Sequence, residues 1–206
     1  MNDLSGPFAL IAATWPPSAW PSLEKCQTLA AMVFALRPTT IVEIGVWTGD
    51  SLLPQLFALR ELGGERIAWA IDPWSNDASV EGQEGANADW WGQVNHQTAF
   101  ETFMGRLRRH DVEKITHVVR AKSDEVDPMP IGEIGILHVD GNHAAQAIRD
   151  VERFAPSVPI GGMLVMDDLG WEGGAVRRAY DHARELGFVE LYPLGTGCVM
   201  QRREAK

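Results

Sequence analysis

Apolar residues in this chain recur with two alternating periods, and that alternation restricts the fold more than any other feature. Across residues 22–36, Leu23, Cys26, Leu29, Ala30, Val33 and Phe34 recur at three- and four-residue spacing, one face of a helix that Pro38 ends. Residues 40–46 form a β-branched apolar run that reads as a strand. Helical spacing returns over 51–62 until Gly63 and Gly64 stop it, and Ile67–Ile71 is the next strand, closed by Asp72 and Pro73. The pattern continues with strands at 115–119, 134–139 and Met163–Met166 and helices at 144–154 and 176–186. Such alternation predicts an α/β, Rossmann-like fold with a mostly parallel sheet and helices on both faces. Strand segments 188–192 and 198–201 are joined by 193–197, too short for a parallel crossover, so one strand near the C-terminus must run antiparallel.

The 206 residues fit one domain with a sizeable core. Residues 1–38 read as a helical extension and 73–95 as an insertion or lid. Lys and Arg total 18 against 28 Asp and Glu, a formal charge of −10, which opposes binding to nucleic acid or an anionic membrane. The apolar run 8–13 is too short to span a bilayer, and Met1, Asn2 and Asp3 lack the basic start of a secretory signal. Cys26 and Cys198 have no partner at metal or redox spacing and read as buried thiols of a reducing compartment. A soluble cytoplasmic protein is expected, with a homo-oligomer left open.

Strand 40–46 runs into Glu43-Ile-Gly45-Val-Trp-Thr-Gly49-Asp-Ser51, a glycine-punctuated turn into a helix, and the second strand ends on Asp72. In open parallel sheets, adenosine-type ligands sit in such a crevice, with the acid placed to bond ribose hydroxyls. A dinucleotide fingerprint would need glycine where Trp47 stands, which argues against NAD. The plainer alternative is a tight turn that uses glycine for its backbone alone, with Asp72 capping a loop.

Two later segments, Leu137-His-Val-Asp140-Gly-Asn-His143 and Gly161-Gly-Met-Leu-Val-Met-Asp167-Asp168, end neighbouring strands in carboxylates. Three acids gathered at one sheet edge would repel one another unless a hard divalent cation took their oxygens as ligands. Capping of the following helices would explain Asp168 alone. A neutral imidazole accepts a proton at physiological pH, so a histidine beside such a cation is a chemically sensible base. His138, inside its strand, reads instead as a packed or hydrogen-bonded residue.

The Glu-x-Gly-x-x-x-Gly pattern resembles motif I of class I S-adenosylmethionine-dependent methyltransferases. With Asp140, His143, Pro156, Gly161, Gly162, Asp167 and Asp168, roughly residues 41–168 resemble the metal-dependent O-methyltransferases. The likeness is to the macrocin and mycinamicin sugar O-methyltransferase group and, more distantly, to catechol O-methyltransferase. It implies a seven-stranded methyltransferase fold, with S-adenosylmethionine held by Glu43, Gly45, Gly49, Asp72, Ser123 and Asp140. It further implies Mg or Mn on Asp140, Asp167 and Asp168, and His143 as general base. Ala144 and Ala145 stand where members often carry an aromatic residue.

Residues 75–95 contain no Lys or Arg but do contain Asp77, Glu81, Glu84, Asp89 and the pair Trp90-Trp91, a mixture suited to a neutral polyol. Trp47, Trp74 and Trp171 also follow strand ends, and Arg106, Arg108 and Arg109 close a helix whose dipole they offset. The expected activity is methyl transfer to a hydroxyl of a small molecule, a sugar or glycosylated natural product. Competing readings are a metal-dependent hydroxylase-like enzyme of the same architecture and a catalytically silent cofactor-binding domain.

Overall fold

The computed structural model describes residues 5–16 and 19–204. Helix α1 (Ser5–Thr14) precedes α2 (Leu23–Leu36), whose start is fixed by Ser22, its side chain accepting from the Lys25 N–H. Then follow β1 (Thr40–Ile44), α3 (Leu52–Leu62) and β2 (Ile67–Ile71). The region read as an insertion folds into two short helices, α4 (Asn76–Val80) and α5 (Gly85–Gln93), ahead of α6 (His96–Arg109). The remainder is β3 (Thr116–Val119), β4 (Ile136–Val139), α7 (Ala145–Phe154), β5 (Met163–Met166), α8 (Ala175–Glu185), β6 (Phe188–Leu194) and β7 (Gly197–Arg202). Among the described residues no helix is long and apolar enough to cross a membrane.

The seven strands lie in the order β3-β2-β1-β4-β5-β7-β6. All pairs from β3 to β5 are parallel, and β7 runs antiparallel to both β5 and β6, as the short 193–197 connection required. Chain order runs outward from β1 in one direction and from β4 in the other, so the crevice opens between the carboxyl ends of these two strands.

Side chains alternate across the sheet, and the two faces build separate cores. Ile41, Ala68, Ala70, Ile136 and Val165 pack under α2, α3 and α6, while Val42, Ile44, Leu137, Val139 and Leu164 pack under α7 and α8. Trp74, grouped by its strand-end position with the pocket tryptophans, is a core residue instead. It is 2% exposed, its ring lies against Phe100 and Phe103, and its Nε1 donates to the Trp47 carbonyl at 2.8 Å.

Candidate active site

The glycine turn after β1 is built from both of its glycines, in different ways. Gly45 has φ 84°, and a Cβ there would lie 2.1 Å from the Asp140 carbonyl oxygen, so its bare backbone lets β1 and the end of β4 meet. Gly49, at φ 83°, faces the ring of Phe103 on α6, which a Cβ would meet at 2.5 Å. Gly45 borders the cavity, whereas Gly49, for which a cofactor contact is also expected, is buried against Phe103 and does not line it. Arg106, expected only to offset a helix dipole, reaches across from α6 to pair with Asp50 and to donate to the Thr48 carbonyl at 2.9 Å. It braces the turn.

Asp72 stands in the cavity wall, but Oδ2 already serves the same turn and Oδ1 its own loop. Oδ2 accepts the N–H groups of Val46 and Trp47, both at 2.9 Å, and Oδ1 accepts that of Trp74 at 2.6 Å. Burial raises its pKa, against the pull of those backbone donors. Any ribose bond would use lone pairs that remain.

Glu43, expected near the cofactor, does not line the cavity. Its side chain points to the α3 face, is fully buried, and is shared among three partners. Ser51 donates to Oε1 at 2.8 Å, Gln55 donates to Oε2 at 2.8 Å, and His138 Nδ1 lies 2.9 Å from Oε2. The register explains this, because Glu43 pairs with His138 across β1 and β4, so the two side chains share one face. His138 Nε2 is in turn 2.9 Å from Asp167 Oδ2, to which Lys25 of α2 also donates. Burial alone would lower the His138 pKa, but Glu43 and Asp167 outweigh it and raise it to about 10. Glu43, His138, Asp167 and Lys25 thus form a buried line of alternating charge.

The same parity divides the three acids. Residues 138 and 140 share a side along β4, and 165 and 167 share that side along β5, so Asp168 must turn the other way. It does so at φ 52°. Asp140, Asp167 and Asp168 therefore do not form one group. Asp140 belongs to two clusters of potential ligand atoms lying within 4.8 Å of one another, one with His138 and Asp167 and one with His143 and Asp168. Asp167 is 3% exposed and lies behind the cavity, while Asp140, His143 and Asp168 line it. Asp167 Oδ1 and His143 Nε2 are buried and have no hydrogen-bond partner. Burial, with the charge of Asp167, raises the Asp140 pKa. For Asp167, burial acts in the same direction but His138 and Lys25 overcome it and hold the carboxyl low. His143 Nε2 sits 3.5 Å from Asp168 Oδ2 and 3.8 Å from Asp140 Oδ1, and the Trp171 ring packs on the imidazole at 4.4 Å between centroids.

The cavity holds about 540 Å³. At one end Ser123 donates to Asp150 Oδ1 at 2.5 Å, and Gln146 donates to both, which leaves Asp150 Oδ2 buried without a partner. Ser123 lines the wall but spends its proton on Asp150. At the other end Trp20, Trp47, Trp90 and Trp91 meet, with centroids 4.8–5.9 Å apart along the contacting pairs. Helices α4 and α5 form the roof, tied down by Asn142, whose Nδ2 donates to the carbonyls of Ala78 and Glu81 at 3.1 and 2.9 Å.

Lys25, Gln146, Asp150 and Asn142 escaped the sequence reading. Lys25 lies on an otherwise amphipathic helix far from the motifs, so only its buried position marks it. Asp150 carried a weak signal, an acid on the apolar side of α7 beside Ala147, Val151 and Phe154.

No curated protein matches the chain at a significant level. Among solved structures it is similar to the O-methyltransferase NovP, at 20% identity over 88% of this chain and 79% of that one, with a TM-score of 0.71. The O-methyltransferase TomG from Streptomyces achromogenes, solved with SAM, matches at 12% identity, 99% and 92% coverage and TM-score 0.65. An O-methyltransferase from Bacillus cereus, solved with SAH, matches at 13% identity, 98% and 92% coverage and TM-score 0.64. At these identities the likeness carries the fold. A sequence-family model described as a methyltransferase domain matches residues 42–169, more than half of the chain, and spans the glycine turn, Asp72, Asp140, His143 and both terminal acids. The chain belongs to the methyltransferase domain family.

Proposed function

We propose that this protein is a cytoplasmic S-adenosylmethionine-dependent O-methyltransferase that uses Mg or Mn and methylates a hydroxyl of a small neutral molecule, a sugar or glycosylated natural product. The observation that carries the reading is His143, whose unpartnered Nε2 lies between Asp140 and Asp168 at the wall of the cavity. TomG and the Bacillus cereus enzyme, solved with SAM and SAH, support the cofactor by analogy of fold. The donor set suits a divalent cation, since Asp167 Oδ1 is a buried carboxylate oxygen with no protein partner and Asp140 adjoins both acid clusters. Asp140, common to both clusters, would hold it with Asp167 through Oδ1, and Asp168, which belongs to the other cluster, would have to turn toward them to complete the set. Bound together, the cofactor would supply an electrophilic methyl group and the cation a Lewis acid that acidifies the acceptor hydroxyl.

The chain's own residues then have distinct tasks. His143 takes the hydroxyl proton at Nε2, with Trp171 packed on the ring to hold its orientation. Asp72 fixes the glycine turn through the N–H groups of Val46 and Trp47, so the methyl donor's site is set before substrate enters. Trp20, Trp47, Trp90 and Trp91 line the cavity and offer indole faces to sugar C–H groups. The roof from 75 to 95 has no cation to attract a phosphate.

The test is an assay with S-adenosylmethionine and a panel of glycosides and phenols, with product read by mass spectrometry. Methylated product and S-adenosylhomocysteine should form, vanish with excess chelator and return with Mg or Mn. His143→Ala should lower the rate by about 10²–10⁴ while cofactor affinity holds. Product that gains oxygen and needs an oxidant would make the protein a hydroxylase-like enzyme, and cofactor binding without turnover a silent domain.

A further inference from the structure

Lys25 is a positive charge built into an acidic cluster, and it comes from outside the region that the methyltransferase model covers. It sits in the first turn of α2, whereas the family match begins at residue 42. Its side chain is 10% exposed and donates to Asp167 Oδ2. A buried ammonium is costly unless paired, so the placement is held by its partner. Ser22 helps to place it by accepting the Lys25 N–H at 3.1 Å, which starts the helix at that point.

The two oxygens of Asp167 are treated differently. Oδ2 accepts from Lys25 and lies 2.9 Å from His138 Nε2, while Oδ1 is buried with no hydrogen-bond partner. One oxygen is committed to Lys25 and His138 and the other is left for a cation that is not protein. An ammonium on one oxygen withdraws charge from the whole carboxylate and repels a second cation close by, in a site where Coulomb interactions are weakly screened. We propose that Lys25 is a tethered cation that shares Asp167 with the divalent ion and holds the affinity for that ion down, so that the site exchanges metal readily and stays charge-balanced when empty. This rests on the metal-dependent reading above. Lys25 does not touch the cavity, so it is a positioning residue, acting through Asp167.

The experiment is a titration of the metal-stripped protein with Mn²⁺ alone, free ion being read by electron paramagnetic resonance and the fold checked by circular dichroism. Lys25→Met should tighten Mn²⁺ binding tenfold or more, and added Mn²⁺ should raise its melting temperature by more than that of the wild type. Lys25→Arg, which keeps the charge, should return wild-type affinity. If Lys25→Met fails to fold, Lys25→Gln, which keeps a hydrogen bond to Asp167, carries the same expectation. Wild-type binding that is unchanged or weakened in both neutral variants would overturn the proposal while leaving the metal-dependent reading intact. Absence of Mn²⁺ binding in wild type and in every variant would overturn both.

Discussion

At the residue scale, the cavity depends on a few side chains whose charge is set by burial. Asp150 is fully buried, and loss of solvent raises its pKa to about 6 despite the hydrogen bonds from Ser123 and Gln146 that favour the charged form. Its folded value exceeds the ordinary 3.8, so the folded state binds the proton more tightly. The stability this proton gives is complete below pH about 3.8 and is lost as pH rises through about 6. Asp150→Asn keeps the acceptor oxygen and removes the charge. Urea melts at pH 7.5 and pH 5 should show the variant ahead of wild type by on the order of 2–3 kcal/mol at the higher pH, with the gap closing on acidification. A gap independent of pH would mean that Asp150 ionises freely. The other decisive residue is Gly45, where a positive φ and the Asp140 carbonyl together leave no room for a side chain.

At the element scale, the helices that frame the cavity are fixed by particular polar contacts, which makes their contributions separable. Ser22 starts α2, and in the same turn sets the height of Lys25 on the helix. Ser22→Ala should cost about 1 kcal/mol, a fall of roughly 2–4 °C in melting temperature for a chain of this size. A calorimetric scan that shows no fall would assign the start of α2 to packing with α3 instead. Helices α4 and α5 are anchored differently. Asn142 holds α4 from the β4–α7 connection, and Asn76 Nδ2 donates to the carbonyls of Gly92 and Val94, both at 2.9 Å, to tie the two helices together. Helix α5 has no buried residue, so it is held by these bonds and by the tryptophan contacts at its end.

At the scale of the whole molecule, a roof attached by a few hydrogen bonds to a sheet with two dense cores should respond to ligand separately from that sheet. Hydrogen exchange with and without S-adenosylhomocysteine should show new protection across 76–93, with the amides of β1, β4 and β5 unchanged. Equal protection everywhere would remove the lid from the reading. The sequence alone determined the main strand and helix segments, though not α4 and α5 inside the stretch read as an insertion, and it determined the parallel sheet and its single reversed strand, because apolar periodicity and connection length are local properties of a chain. It also placed Asp140, Asp167 and Asp168 together at one edge, since each lies at the end of a strand whose direction alternation had set. Only the tertiary structure decided which way those side chains turn. Glu43 faces α3 because it pairs with His138 in the sheet register, and Asp167 parts from Asp168 because neighbouring residues at a strand end point to opposite sides. Lys25 and Asp150 enter the site from helices whose own sequence carries no motif, and their roles follow from the distances that packing creates between residues far apart in the chain.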